Sequence, residues 1–183
     1  MKTLVISGGS SGIGKATASL FAERGWRVFE LSRHGGEEAK VERFEAKDAG
    51  EIIHVFCDVC SEESCHAAIE EVWRQTDHVD VVISNAGYGI SGPIEFSDIP
   101  AAEHQMDVNF MGAVRFTQAV LPQLRQQRRG RIIYTSSVAA ILAVPYQSFY
   151  SASKAAINAF ALALANEVRE FGISVSVMMP GDV

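Results

Sequence analysis

Apolar positions along this chain fall into short continuous runs separated by longer stretches in which they recur every three or four residues. Runs of roughly four to eight residues without alternation suit strands buried on both faces, whereas a recurrence near 3.6 marks a helix. The first run, Thr3-Leu4-Val5-Ile6, is followed by a glycine-rich turn and the amphipathic stretch from Lys15 to Arg24. The same pattern predicts strands at Arg27–Leu31, Glu51–Val59, Val79–Ile83, Arg131–Ser137 and Ile173–Met179. Helical patterning is expected over Gly35–Ala49 with Gly50 as its stop, and after Ser61, a capping residue followed by Glu62 and Glu63. It is expected again over Ala101–Gln127 and across the segment carrying Tyr150 and Lys154. Strands alternating with helices predict an α/β, doubly wound parallel sheet of the Rossmann type, in which ligands sit at the carboxyl ends of the strands. No repeat, linker or low-complexity segment divides residues 1–183, so a single domain is expected.

Composition narrows the partners. The chain is 48% hydrophobic and 21% charged, enough for a core and no sign of disorder. A net charge of −6 and a pI near 5.4 speak against nucleic acid or an anionic membrane as the main partner. The basic cluster Arg125, Arg128, Arg129 and Arg131 straddles Gly130 and reads as a helix C-terminus ahead of a glycine cap. Met1-Lys2 runs straight into a short apolar strand and Gly8-Gly9, without the core of a secretion signal. The longest apolar stretch, Ala155–Ala165, contains Asn158 and is too short to span a bilayer, so a cytoplasmic protein is expected. Three cysteines, an odd number, suit reduced thiols. Cys57-x2-Cys60 has His54, Cys65 and His66 nearby, but His54 and Cys57 would face opposite sides of a strand and no second C-x-x-C exists. No metal site is expected.

Three motifs carry chemistry. Gly8-Gly9-Ser10-Ser11-Gly12-Ile13-Gly14 lies between a strand and a helix, where bare backbone and free helix N–H groups receive a pyrophosphate. Ser32-Arg33 ends the second strand, where an acidic residue would hold a ribose 2′-OH and an arginine would accept a 2′-phosphate; this favours NADP(H) over NAD. In Tyr150-Ser151-Ala152-Ser153-Lys154, a phenol and an ammonium stand one helical turn apart on one face. A phenol is too weak an acid for a carbonyl oxygen at neutral pH unless a cation supports its phenolate. Ser151-x2-Lys154 also matches the S-x-x-K of penicillin-recognising acyl enzymes, whose companions S-D-N and K-T-G are missing. Asn109 falls inside the long helical run, where an asparagine is disfavoured unless its amide has a task.

The set Ser7-Gly8-x3-Gly12-Ile13-Gly14, Asp58-Val59, Ser84-Asn85-Ala86-Gly87, Asn109, Ser137, Tyr150-x3-Lys154 and Pro180-Gly181 resembles the short-chain dehydrogenase/reductase family from Thr3 to Val183. The resemblance implies hydride transfer between NADP(H) and a carbonyl or secondary alcohol. Tyr150 would be the general acid/base, Ser137 would polarise the carbonyl, Lys154 would support the tyrosine and bind the nicotinamide ribose, and Asn109 would hold a relay water. The cofactor would lie against Gly8, Ser10, Ser11, Gly12, Ile13 and Gly14, with Ser32 and Arg33 at the ribose and Asp58 and Val59 at the adenine. Asn85, Ala86 and Gly87 would form its floor, and Pro180, Gly181 and Val183 would face the nicotinamide. Ser7 and Ser84 replace the family's usual threonine and asparagine with other small polar groups. The family's usual C-terminal substrate-lid region, which follows the Pro-Gly, is expected to be lacking. That expectation supplies the alternative, a catalytically impaired dinucleotide-binding regulator or scaffold. Helical faces at Met106–Leu124 and Ala155–Val168 resemble the family's four-helix interface and imply a homodimer or homotetramer.

Overall fold

The N-terminal apolar run forms β1 (Thr3–Ser7), buried over its whole length. It leads through the glycine turn to α1 (Gly12–Glu23), β2 (Arg27–Ser32), β3 (Lys40–Arg43) and β4 (Glu51–Phe56). Next come α2 (Glu62–Gln75), β5 (Val81–Ser84), α3 (Ile99–Met106), a wide π turn (Asp107–Met111) and α4 (Gly112–Gln127). β6 (Gly130–Thr135), α5 (Ser148–Val168) and β7 (Ile173–Met178) close the described chain. This computed structural model describes residues 1–36, 40–43 and 50–181.

The seven strands form one sheet in the order β3-β4-β2-β1-β5-β6-β7. All pairings are parallel except β3 with β4. Chain connectivity runs outward in both directions from the β1–β5 pair, so a crevice opens where the carboxyl ends of those strands diverge. Two apolar layers sandwich the sheet. One is built on α2, α4 and α5, with Phe116, Leu124, Tyr134 and Ile157 at its centre; the other packs Ala18 and Ala22 of α1 on Leu4, Ile6 and Val28. Burying a large side chain such as Phe116 or Leu124 is worth roughly 1.5–3 kcal/mol relative to exposure, and both are at most 1% exposed.

Several expectations shift. The helix expected over Gly35–Ala49 is a strand at Lys40–Arg43, antiparallel to β4 with Lys40 opposite His54 and Arg43 opposite Glu51. Charged residues suit an edge strand, and tertiary pairing outweighs local helix tone. Residues 37–39 and 44–49 lie outside the described residues. At Gly50 a Cβ would lie 1.8 Å from the Trp26 carbonyl oxygen, so close backbone approach demands glycine. The left-handed cap of α4 is Arg128 (φ 53) rather than Gly130, which begins β6. Arg125 and Arg128 lie over the Phe171 ring at 4.4 and 5.9 Å, and Arg128 donates to the Glu170 carbonyl, so this cluster ties α4 to the turn before β7. Predicted strand ends retreat to Phe56 and Thr135, which leaves Cys57–Val59 and Ser136–Ser137 in loops at the sheet's carboxyl edge. Among the described residues no helix is long and apolar enough to cross a membrane.

Candidate functional site

The crevice at that edge opens into a cavity of about 960 Å³. At one part of its wall the glycine turn brings Gly8, Ser10, Ser11, Gly12 and Ile13 to the surface of the cavity. Gly14 stands behind them: a Cβ there would fall 2.2 Å from the Gly8 carbonyl oxygen and 2.6 Å from Asn85 Nδ2. The turn is clamped to the end of β5, because Asn85 Nδ2 donates to the Gly8 carbonyl (3.0 Å) and Ser7 Oγ accepts the N–H groups of Asn85 and Ala86 (3.1 and 3.3 Å). Ser7 and Ser84 stand opposite each other across β1 and β5, and both are buried.

The helix starts differ. Ser61 caps α2 by accepting the Ser64 N–H at 3.1 Å. Ser11, at the head of α1, makes no such bond, so the first-turn N–H groups of α1 have neither an intrahelical partner nor a side-chain cap where they border the cavity. Uncapped donors at a helix N-terminus, beside a turn with no room for a Cβ at Gly8, Gly9 or Gly14, fit the pyrophosphate of a dinucleotide. Ser32 and Arg33 line the same cavity, and the Arg33 side chain makes no ion pair among the described residues. Asp58 and Val59 line it as well, with the Asp58 loop set by Ser64 Oγ accepting the Asp58 N–H (2.9 Å) and by Asp58 Oδ1 accepting the Cys60 N–H (3.0 Å).

The remaining predicted residues occupy the other part of the wall. Asn85, Ala86, Gly87, Ser137, Tyr150, Lys154, Pro180 and Gly181 all line the cavity, whereas Val183 lies outside the described residues. Lys154 is 4% exposed; its Nζ donates to the Thr135 carbonyl at 2.8 Å and sits 5.7 Å from the centroid of the Tyr150 ring. Burial lowers its pKa to about 8, because desolvation penalises the ammonium and no carboxylate among the described residues pairs with it. The two adjacent serines divide their tasks. Ser136 donates to the Lys154 carbonyl at 3.1 Å, whereas Ser137 accepts the Ala139 N–H at 3.1 Å and keeps its own O–H for another acceptor.

Asn109 is off the cavity wall. The π turn aims its amide at the loop after β5: Oδ1 accepts the Tyr88 N–H (2.9 Å), and Nδ2 donates to the Tyr88 carbonyl (2.8 Å) and to Ser153 Oγ (3.0 Å). Ser153 in turn donates to the Tyr150 carbonyl at 2.7 Å, so one chain of bonds links the loop to the helix that bears the phenol. Asn109→Ala leaves the Tyr88 N–H without its acceptor and Ser153 Oγ without a donor, while the Tyr88 carbonyl keeps the bond from Gln105 Nε2 (3.1 Å), and a loss of about 1 kcal/mol in urea unfolding is expected. A loss indistinguishable from zero would remove this linkage.

His104, Thr135 and Gln147 also line the cavity, and no pattern in the sequence marks them. Only their placement in three dimensions identifies them. Ser151, the alternative nucleophile, is absent from the cavity wall, and its hydroxyl is buried without a hydrogen-bond partner among the described residues.

Comparison with known proteins identifies the family and the fold. The family described as short chain dehydrogenase matches residues 2–183. A 3-ketodihydrosphingosine reductase from Bacteroides thetaiotaomicron is 39% identical over 179 residues, covering 98% of this chain and 63% of that protein. Retinol dehydrogenase 8 from Homo sapiens is 36% identical over 186 residues, covering all of this chain and 59% of that protein. This chain thus spans about three fifths of the length of those relatives. Among solved structures, NAD+-bound xylitol dehydrogenase superposes with a TM-score of 0.88 at 27% identity, covering 98% of this chain and 70% of that one. An alcohol dehydrogenase from Thermococcus sibiricus, complexed with 5-hydroxy-NADP, gives 0.87 at 26% identity and covers 100% and 77%. With the doubly wound sheet, the glycine turn and the Tyr150–Lys154 pair in one cavity, this match over nearly the whole sequence means that the chain belongs to the short-chain dehydrogenase family.

Proposed function

We propose that residues 1–183 form one NADP(H)-binding oxidoreductase domain that reduces a carbonyl or oxidises the corresponding secondary alcohol. The observation that carries this reading is the convergence of Tyr150, Lys154 and the Ser137 O–H on the same cavity as the uncapped start of α1. The bound nicotinamide supplies or takes the hydride. Tyr150 gives its hydroxyl proton to the carbonyl oxygen during reduction, and Ser137 donates a hydrogen bond to the charge that develops there. Lys154 keeps a cation beside the phenol ring and offers Nζ protons to the nicotinamide ribose. Asn109 acts by holding Tyr88 and, through Ser153, the Tyr150 turn; the second lone pair of its Oδ1 is left for a relay water. Gly8 to Gly14 receive the pyrophosphate, Asp58 and Val59 the adenine, and Asn85 to Gly87 with Pro180 and Gly181 the nicotinamide half.

The substrate reading rests on Ile141, Leu142 and Val144, all exposed on the loop after Ser137, and on relatives named for 3-ketodihydrosphingosine and retinol. We infer a ketone or alcohol with substantial apolar surface. Exposed Met111, which closes the π turn, and Leu162 of α5 support a homodimer or homotetramer, and three free cysteines suit the reducing cytoplasm. The test is the decay of NADPH absorbance with a panel of apolar ketones and aldehydes. Turnover with at least one is expected; tight NADPH binding without decay for any of them would favour the regulator.

Cofactor choice is tested separately. Arg33 is exposed on the cavity rim, free to meet a 2′-phosphate, and Ser32 places no carboxylate against it. Arg33→Ala is expected to weaken NADPH binding by roughly 10- to 100-fold, the worth of a charge-assisted contact, and to leave NADH nearly unchanged. Equal weakening of both would remove Arg33 from that role.

A further inference from the structure

Cys60, His104 and Asp107 have no assigned part in the reaction above. Cys60 lies in the loop between β4 and α2, and His104 and Asp107 stand three residues apart where α3 passes into the π turn. Folding brings one potential ligand atom from each to within 4.8 Å of the other two. The Cys60 thiol hydrogen-bonds to the Asp107 carboxylate, which also accepts from Arg115 Nη2 at 2.7 Å. Arg115 reaches the Cys60 loop as well, donating through Nη1 to the Val59 carbonyl at 3.3 Å. The His104 ring is exposed and lies 6.1 Å from the Tyr88 ring.

We propose that Cys60, His104 and Asp107 bind one zinc-type divalent transition-metal ion, which ties the β4–α2 loop to the end of α3. Thiolate, imidazole and carboxylate are the donors zinc takes, and three protein ligands leave a fourth position for water. Magnesium and calcium prefer shells made wholly of oxygen, so the sulfur selects against them. A tetrahedral shell with bonds of about 2.0–2.3 Å separates its ligand atoms by roughly 3.3–3.8 Å. The three side chains therefore close by about an ångström, within the reach of side-chain rotation. On binding, the S–H bond breaks, a sulfur–metal bond forms and the proton passes to solvent, with no change of oxidation state. Arg115 holds the carboxylate from behind, as groups around metal ligands commonly do. The partners differ from those suggested by the Cys57-x2-Cys60 spacing: Cys57 hydrogen-bonds to Cys65 in the core, and His54 is bound to Glu30 at 2.9 Å.

The test is cobalt(II) titration of the whole protein after dialysis against a chelator, with zinc as competitor. One equivalent is expected, with a thiolate-to-cobalt charge-transfer band in the near ultraviolet and visible bands of four-coordinate intensity. Zinc should displace the cobalt and bleach both. Cys60→Ser should abolish the charge-transfer band, and His104→Ala should weaken cobalt binding by roughly tenfold or more. His66→Ala, on the surface of α2, should change neither. Circular dichroism of the metal-free variants should match the parent, since Cys60 and His104 are not in the core. Absence of the thiolate band in the parent protein, or its survival in Cys60→Ser, overturns the site and leaves the trio as a polar staple. These readouts do not depend on whether the protein turns over a carbonyl.

Discussion

Tyr150→Phe is expected to lower NADPH-dependent carbonyl turnover by about 100- to 10,000-fold, the range for loss of a positioned acid, while NADPH affinity stays within a few-fold. The substitution removes one oxygen and little else. Among the described residues no hydrogen bond is made by the Tyr150 hydroxyl, so its loss strands no buried partner. The ring stays seated against Gly89, where an added Cβ would lie 3.4 Å from Tyr150 Cδ2, and the backbone carbonyl keeps its bond from Ser153. Steady-state NADPH absorbance and a fluorescence titration of NADPH separate the two effects. Turnover close to that of the parent would take the proton away from Tyr150.

The second large effect is expected at Lys154, and it is opposite for stability and for activity. The ammonium titrates near its ordinary 10.5 in the unfolded chain and at about 8 in the folded one. Between those values the unfolded state holds more protons, so stability rises with pH from about 8 to 10.5 and is flat on either side. The shift corresponds to roughly 3 kcal/mol. Below pH 8 the buried charge is a burden that Lys154→Met removes, together with the bond to the Thr135 carbonyl, worth about 1 kcal/mol. A net gain of about 2 kcal/mol is expected at pH 7, shrinking as the pH approaches 10.5. Turnover should fall with it, since the cation beside Tyr150 is gone. Urea unfolding of both proteins at several pH values is the measurement; a gap independent of pH would show that the buried ammonium is not its source.

Much of this was legible because the determining interactions are local. The apolar runs at Thr3–Ile6 and Arg27–Leu31 are buried on both faces whatever packs on them, and Ser61 caps α2 by a bond that spans three residues. Tyr150 and Lys154 share a face because one helix carries both. What was missed depends on distant partners. Lys40–Arg43 becomes a strand because β4 offers an edge, and Gly50 is required by Trp26. Arg128 takes the left-handed turn ahead of Gly130, with its guanidinium reaching Glu170. The task of Asn109 was foreseeable as a task, but its partners Tyr88 and Ser153 lie 21 and 44 residues away. No periodicity or spacing could supply them.

The π turn at Asp107–Met111 sets the phase between the two helices it joins. Each residue of an α-helix advances the azimuth by about 100°, and a π turn accommodates one residue beyond the regular count. Shortening that turn by a single residue would restore an unbroken helix at the cost of alignment, swinging α3 by about 100° about its axis. Asn109 and His104 would then turn away from their neighbours even with every side chain intact. The turn is thus intolerant of any change in length, whichever residues fill it.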